Sequence, residues 1–307
     1  MSQVVWARRG QATTINLTWE VTMSGDPNPR RRRLGAEVRH RRVELGWSLE
    51  TSAKQLGYGS AGTAHKIESG RQKITLQQLP HFLSVLGVTE PAAQAFWREL
   101  VVSANSDDWE ARFPGDADDP FGSYATDIEL ARSAFLWSPT APHGLLQHPL
   151  TERAIIEADL AWSTPDDVDR FVGVRADLRE RVLSRQPPPA ITSVLTEGQL
   201  RQEIGGRAGV RRQAAHLAEL ARSVPGITIL VIPFSVGAHA GIDGPFMLME
   251  FPTGRSSVTI EGRRAALQIH EADVVAEYKR VSEHMVDDAL SAEDSLTFLD
   301  QLAEEYA

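Results

Sequence analysis

The sequence predicts a mainly α N-terminal domain followed by an α/β (α+β) C-terminal domain with a mixed sheet. Three observations carry this. Residues 34–88 break into short apolar-periodic stretches punctuated by Ser and Gly, the pattern of short capped helices. From residue 127 onward helical periods alternate with strand-like runs, and three such runs then follow one another, as in a mixed sheet flanked by helices. The charge is also divided. Eleven Lys or Arg face four acids between Arg30 and Lys73, giving +7, whereas residues 74–307 sum to −16 within a chain total of −9. That asymmetry is the footprint of a basic binding module on an acidic body.

At roughly 150 residues per domain, 307 residues make two. The absence of cysteine excludes disulfides, a thiol nucleophile and Cys-based metal sites. The longest apolar run falls far short of the ~20 residues that a membrane span needs. The first 25 residues lack the pattern of a secretory signal. A soluble cytoplasmic protein is expected, with no membrane partner.

Residues 1–29 lack periodicity and close on a Pro-rich turn, so a disordered extension is expected. Met23 suggests a later translation start, with residues 1–22 not native. Residues 30–90 form the first domain, and residues 91–125 a helical linker. There Thr89 caps a helix, Pro91 fits its first turn, and Phe96, Trp97, Leu100 and Val101 make its apolar face. Asp116–Gly122 is polar punctuation. Residues 126–307 form the second domain. Helices are expected over 127–136, 150–160, 166–185, 199–204, 210–223, 271–290 and 292–305, and strands over 190–195, 227–233, 246–251 and 257–261.

Within the basic stretch, helix one turns Leu34, Val38 and Leu45 inward and leaves Arg39, His40, Arg41 and Arg42 outside. Gly46 ends it, Ser48 caps a second helix with small Ala53 at a close crossing, and Gly57-Tyr58-Gly59 makes the turn. Ser60 caps helix three, which faces Ala64 and Ile67 inward and Ala61, Gly62, His65 and Lys66 outward. Gly70 closes it, and Arg71 and Lys73 follow where a phosphate could lie. Pro80 is expected to kink a fourth helix. This is the grammar of a helix-turn-helix. Gly57–Gly62 also fits G-x-G-x-x-G, but the residues before it read as helix, not strand, and no acid lies between Ser69 and Glu90, so a dinucleotide site is rejected.

The stretch resembles the lambda-repressor-like, xenobiotic-response-element class of transcriptional regulators. The carrying residues are Ser48-Leu49, Ala53, Leu56-Gly57 and above all Lys66-Ile67-Glu68-Ser69-Gly70-Arg71. It departs from that class in a longer inter-helix turn, and in Ala61 and Gly62 where polar base-reading side chains often stand. The resemblance implies binding to double-stranded DNA through Arg39, Arg42, Ser48, Ser60, Ala61, Gly62, Thr63, His65, Lys66, Arg71 and Lys73, with direct readout resting on His65 and Lys66.

Residues from 139 onward resemble the large antitoxin-like C-terminal domains of actinobacterial helix-turn-helix regulators. The matching residues are Gly144-Leu-Leu-Gln147, Arg175, Arg181, Glu197, Leu200, Gly205-Gly206, Gln213, Leu217, Val231-Ile-Pro-Phe234, Gly237-Ala-His239, Gly244-Pro-Phe246 and Ala289–Ser295. The chain departs from that family at His148 and at Val258-Thr-Ile-Glu261. The resemblance implies a partner, a small protein encoded nearby.

No H-E-x-x-H, G-x-S-x-G or other catalytic spacing appears, so neither an enzyme nor a cofactor or metal is expected. The Gly-rich loop Ser235–Pro245 reads first as a strand connection whose glycines satisfy backbone geometry, and alternatively as a pocket for a small-molecule effector or partner peptide, with Glu197, Arg207, Gly237, His239 and Gly244 around it. The expected function is a homodimeric regulator that reads an operator, its two recognition helices about 34 Å apart, under control of the acidic domain. The alternative is an antitoxin that neutralises its small partner.

Overall fold

The structure is a computed structural model that describes residues 29–106, 120–159, 164–262 and 266–307. The expected disordered extension and the start at Met23 lie outside these residues, except that Pro29 already opens a helix.

The N-terminal region is five helices: α1 (Pro29–Glu44), α2 (Leu49–Gln55), α3 (Ala61–Glu68), α4 (Leu79–Val85) and α5 (Pro91–Asn105). Leu34, Val38, Leu56, Ile67, Ile74, Phe82 and Leu86 form their common core. Three expectations are corrected. Leu45 falls beyond the end of α1 and is 39% exposed. Pro80 sits in the first turn of α4, where its missing N–H costs nothing, so there is no kink. Glu90, not Thr89, precedes the first residue of α5. That helix buries Phe96, Trp97, Leu100, Val101 and Ala104.

The body opens with α6 (Pro120–Leu130) and β1 (Ser133–Trp137), followed by α7 (Pro149–Asp159), α8 (Pro165–Leu183), β2 (Ala190–Thr196), α9 (Glu197–Arg201) and α10 (Gly206–Ser223). It closes with β3 (Ile227–Ile232), β4 (Phe246–Glu250), β5 (Ser256–Glu261), β6 (Ala266–Ile269), α11 (Ala272–Asp288) and α12 (Ala292–Glu305). The single helix expected over 127–136 is therefore corrected to the end of α6 followed by β1. Phe121 and Gly122 belong to α6, not to polar punctuation.

The six strands form one mixed sheet in the order β3-β2-β1-β4-β5-β6. β1, β2 and β3 run parallel, and β4, β5 and β6 add antiparallel on the other side of β1. Alternation along β1 sends Ala134 and Leu136 to one face and Phe135 and Trp137 to the other. The first face is covered by α6, α8, α10 and α12, the second by α11, whose Val275 and Met285 meet Trp137, Phe246 and Val258. The β3 edge is closed by the start of α12: Ser295 Oγ accepts from Val231 N at 3.0 Å, and Leu290 N donates to Val231 O at 2.8 Å.

Candidate nucleic-acid interface

α2 and α3 are set by their caps. Ser48 Oγ accepts from Thr51 N at 3.1 Å, and Ser60 Oγ accepts from Thr63 N at 3.3 Å, each satisfying an otherwise orphaned helix donor. Both hydroxyls also meet a threonine hydroxyl at 3.2 Å, so they serve the helix ends. Ala53, Leu56, Ala64 and Ile67 pin the pair to the core. Opposite them α3 presents exposed Gly62, His65 and Lys66, with Ala61 and Thr63 half-buried. Exposed Arg39, Arg71 and Lys73 add positive charge around this face.

Arg42 is not on that face in the sense the sequence suggested. Its Nε and Nη2 donate to both Glu68 oxygens at 2.6 and 3.1 Å, and Nη1 donates to Trp47 O at 2.8 Å. This bidentate pair ties α1 to the end of α3. Arg41 likewise is committed, to the carbonyls of Leu86 and Gly87 and to Glu44.

The arginine run that opens α1 also points away from solvent. Arg33 is buried between Glu37 (2.6 Å) and Asp127 of α6 (2.7 Å), with its guanidinium 4.3 Å from the Phe251 ring centroid. Arg255 reaches the other Glu37 oxygen at 2.6 Å, and Gln268 Nε2 donates to Asp127 Oδ2 at 2.7 Å. Arg30 pairs with Glu129, which also holds Arg181. Burial pushes the Glu37 carboxyl up, but the two guanidiniums outweigh it and leave it below the ordinary carboxylate range. Asp127, burdened by burial and by Glu37 despite its single arginine, lies above its ordinary value. The net charge of the N-terminal region thus overstates its outward charge, because Arg30 and Arg33 are also paired with Glu129 and Asp127 of α6, which lie outside the basic stretch.

Two residues that shape the interface were missed as such. Gly35 lies so close to α3 that a Cβ there would sit 2.4 Å from Glu68 O. Gly70, at φ +74°, would bring a Cβ 2.7 Å from the backbone of Arg31 and Arg32. A Gly in the interior of a basic helix was the available signal for the first.

The five residues expected around an effector pocket do not converge. Glu197 accepts from Arg201 Nε at 2.8 Å and from Phe234 N at 3.0 Å. Arg207 donates to Glu305 O and lies 4.5 Å from the Tyr306 ring. On the opposite side of the sheet, His239 Nδ1 accepts from Gly241 N and its ring stands edge-on to Trp137. Gly237 and Gly244 supply positive-φ turns, and Trp137 Nε1 donates to the carbonyls of Gly241 and Gly244. The loop is anchored to the sheet through Trp137, while Ile242 on it stands exposed.

No helix among the described residues is long and apolar enough to cross a membrane. No curated protein and no solved structure matches the chain. Residues 33–96 match a helix-turn-helix domain, which supports a DNA-binding regulator, and residues 127–301 match a domain of unknown function, DUF5753. With more than half of its length in that second match, the chain belongs to the DUF5753 family and carries a helix-turn-helix domain ahead of it.

Proposed function

We propose that the protein is a xenobiotic-response-element-type transcription regulator that lays α3 in the major groove of an operator and is controlled through its DUF5753 domain. The observation that carries this is the α3 face. His65 and Lys66 stand exposed on a helix whose opposite side, cap and C-terminus are all fixed, so the reading side chains meet DNA from a rigid support. Arg39, Arg71 and Lys73 would grip phosphates, and His65 and Lys66 would reach base edges. A homodimer would present two such helices to a pseudo-palindrome. In this reading the protein is not an enzyme.

Control through the body has a physical route, because α1 is shared: its first turns are locked to Asp127, Glu129 and Arg255, and its last turns brace α3 through Arg42. A second reading, an antitoxin that neutralises a small neighbour-encoded protein, is favoured by Phe234 and Ile242, 65% and 72% exposed on one loop.

The test is retention of duplexes from the gene's own promoter at low ionic strength. Lys73→Ala should lower affinity on all sequences and flatten the log–log salt slope by about one unit. His65→Ala should relax operator preference more than affinity. Arg42→Ala should leave the slope of the folded fraction unchanged. A protein that ignores such duplexes, alone and with its neighbour-encoded partner, overturns the assignment.

A further inference from the structure

At the carboxyl end of β1 lies a half-open cavity of about 320 Å³, in the size range of small-molecule sites. Its walls come from α6 (Phe121, Tyr124), the segment after β1 (His143, Gln147), α8 (Arg175, Leu178) and the paired strands β4 and β5 (Met247, Thr259). The position is a topological one. β1 has a parallel neighbour on one side and an antiparallel one on the other, so the loop leaving it and the chain entering β4 part at this point. In open α/β sheets a crevice outside the strand carboxyl ends, where connections diverge, is where ligands bind.

The polar groups of the wall are out of balance. Tyr124 Oη, Thr259 Oγ1 and Gln147 Oε1 are buried and have no hydrogen-bond partner among the described residues. A folded protein seldom leaves three such atoms together without something to meet them. Gln147 Nε2 already donates to Pro142 O at 2.7 Å, so its remaining oxygen calls for a donor. Burial holds the Tyr124 phenol well above its ordinary range, and it stays a neutral donor. Burial beside Arg175 pushes His143 down to about 3, so it adds no charge.

The cation of the wall is Arg175. Its neighbour Arg179 is committed to Glu152 and to Gly144 O. Arg175 pairs with no carboxylate among the described residues; its guanidinium stands 5.9 Å from the Phe121 ring and beside Gly144. Glu261 at the rim is the one acid of the wall and faces Tyr124. Ser138 and Thr140 add two hydroxyl side chains, and much of the remaining wall is apolar or aromatic, supplied by residues such as Phe121, Leu145, Ile155, Leu178, Phe246 and Met247.

We propose that this cavity binds a small organic anion: a carboxylate on a flat apolar body that also carries an N–H or O–H donor. The carboxylate meets Arg175 and the Tyr124 and Thr259 hydroxyls, and the donor meets Gln147 Oε1. The ligand's role as an effector rests on the regulator reading above; its binding does not. The site is well placed for that role, since Tyr124 lies one turn from Asp127 on α6, and Thr259 pairs in register with Gln268, which also holds Asp127. An occupant would therefore press on the same helix that receives Arg33.

The full chain is titrated by calorimetry and ligand-detected NMR with indole-3-acetate and 4-hydroxyphenylacetate, and with methyl indole-3-acetate and tryptamine as neutral and cationic versions of the same body. Saturable binding of at least one acid is expected, with the ester and the amine weaker by roughly tenfold or more, the usual worth of a charge-assisted hydrogen bond. Arg175→Met should abolish that preference while leaving promoter binding unchanged. Thr259→Val should weaken the acids without lowering the melting temperature of the unliganded protein, because it removes an unpaired hydroxyl; a merely structural hydroxyl would destabilise on removal. Absence of saturable binding by both acids, or an unchanged preference in Arg175→Met, overturns the proposal. Binding of the acids by a protein that ignores promoter duplexes would instead sink the regulator reading and leave the site standing.

Discussion

Glu37 receives two guanidiniums, from Arg33 and Arg255, at 2.6 Å each, and is 1% exposed. Removing one partner of a buried ion cluster strands the others, at a cost of about 3–5 kcal/mol. Glu37→Ala should therefore lose that much in urea denaturation of the full chain, with Glu37→Gln between it and the wild type; a loss near zero would show that the cluster is solvated in solution. His270 borders the same cluster. Burial and the nearby Arg33 and Arg255 charges push it down to about 4, against the opposing pull of Glu37 and Glu271. Its folded pKa is thus depressed below the unfolded value near 6.5. As pH falls from about 6.5 toward 4 the unfolded chain takes up a proton that the folded one refuses, and stability drops, by about 2 kcal/mol at pH 5 for one such group. His143, at about 3, and His216, at about 4, add to the same slope. Comparing urea midpoints at pH 7 and pH 5, His270→Gln should lose less on acidification than the wild type; equal losses would refute the depressed pKa.

At the scale of elements, α3 owes its orientation to the closeness of α1. The Gly35 position admits no Cβ without moving the Glu68 carbonyl, and that carbonyl belongs to backbone that cannot swing aside like a side chain. Gly35→Ala should separate the helices, cost more stability than the gain in helix propensity returns, and weaken promoter binding. A variant as stable as wild type with full duplex affinity would show that the crossing is slack. The caps at Ser48 and Ser60, the turn glycines and the inward Ala64 and Ile67 were all legible, because each is a short-range rule acting within a few residues. β1 was not. It is a central strand with four buried residues in succession, and such a run has no period to separate it from the helix that ends three residues earlier. β6 is four residues long, half-exposed and at the edge, too short to leave a pattern. The fates of Arg33 and Arg42 escaped for a different reason: beside Glu37 one turn on, Arg33 meets Asp127 from a distant helix, and a charge count that includes Glu68 does not say that Arg42 is the cation it holds. The residues named around the 235–245 loop do not meet at one point for a related reason. Glycines mark backbone geometry, and the polar atoms that converge come from α6, α8 and β5, which only the fold brings together.

Across the whole molecule, the basic module and acidic body are not two beads on a string. One core runs from Leu34 and Trp97 through Phe251 to the sheet residues Leu136 and Met249, and the Phe96 and Phe251 rings meet at 6.1 Å. The charge asymmetry that divides the chain in sequence joins it in space, because arginines of α1 are the cations that neutralise carboxylates of α6. Two domains sharing an apolar core and a buried ion cluster should unfold together. Calorimetry of the full chain should then show one endotherm whose van't Hoff and calorimetric enthalpies agree. Arg33→Ala removes the cation that Asp127 and Glu37 share and should lower the transition and split it into two, the helix-turn-helix melting first because it has the smaller core of its own. Two independent endotherms in the wild type would break this account at its centre. α3 would then be tethered rather than mounted, and nothing bound in the body could set its angle to DNA.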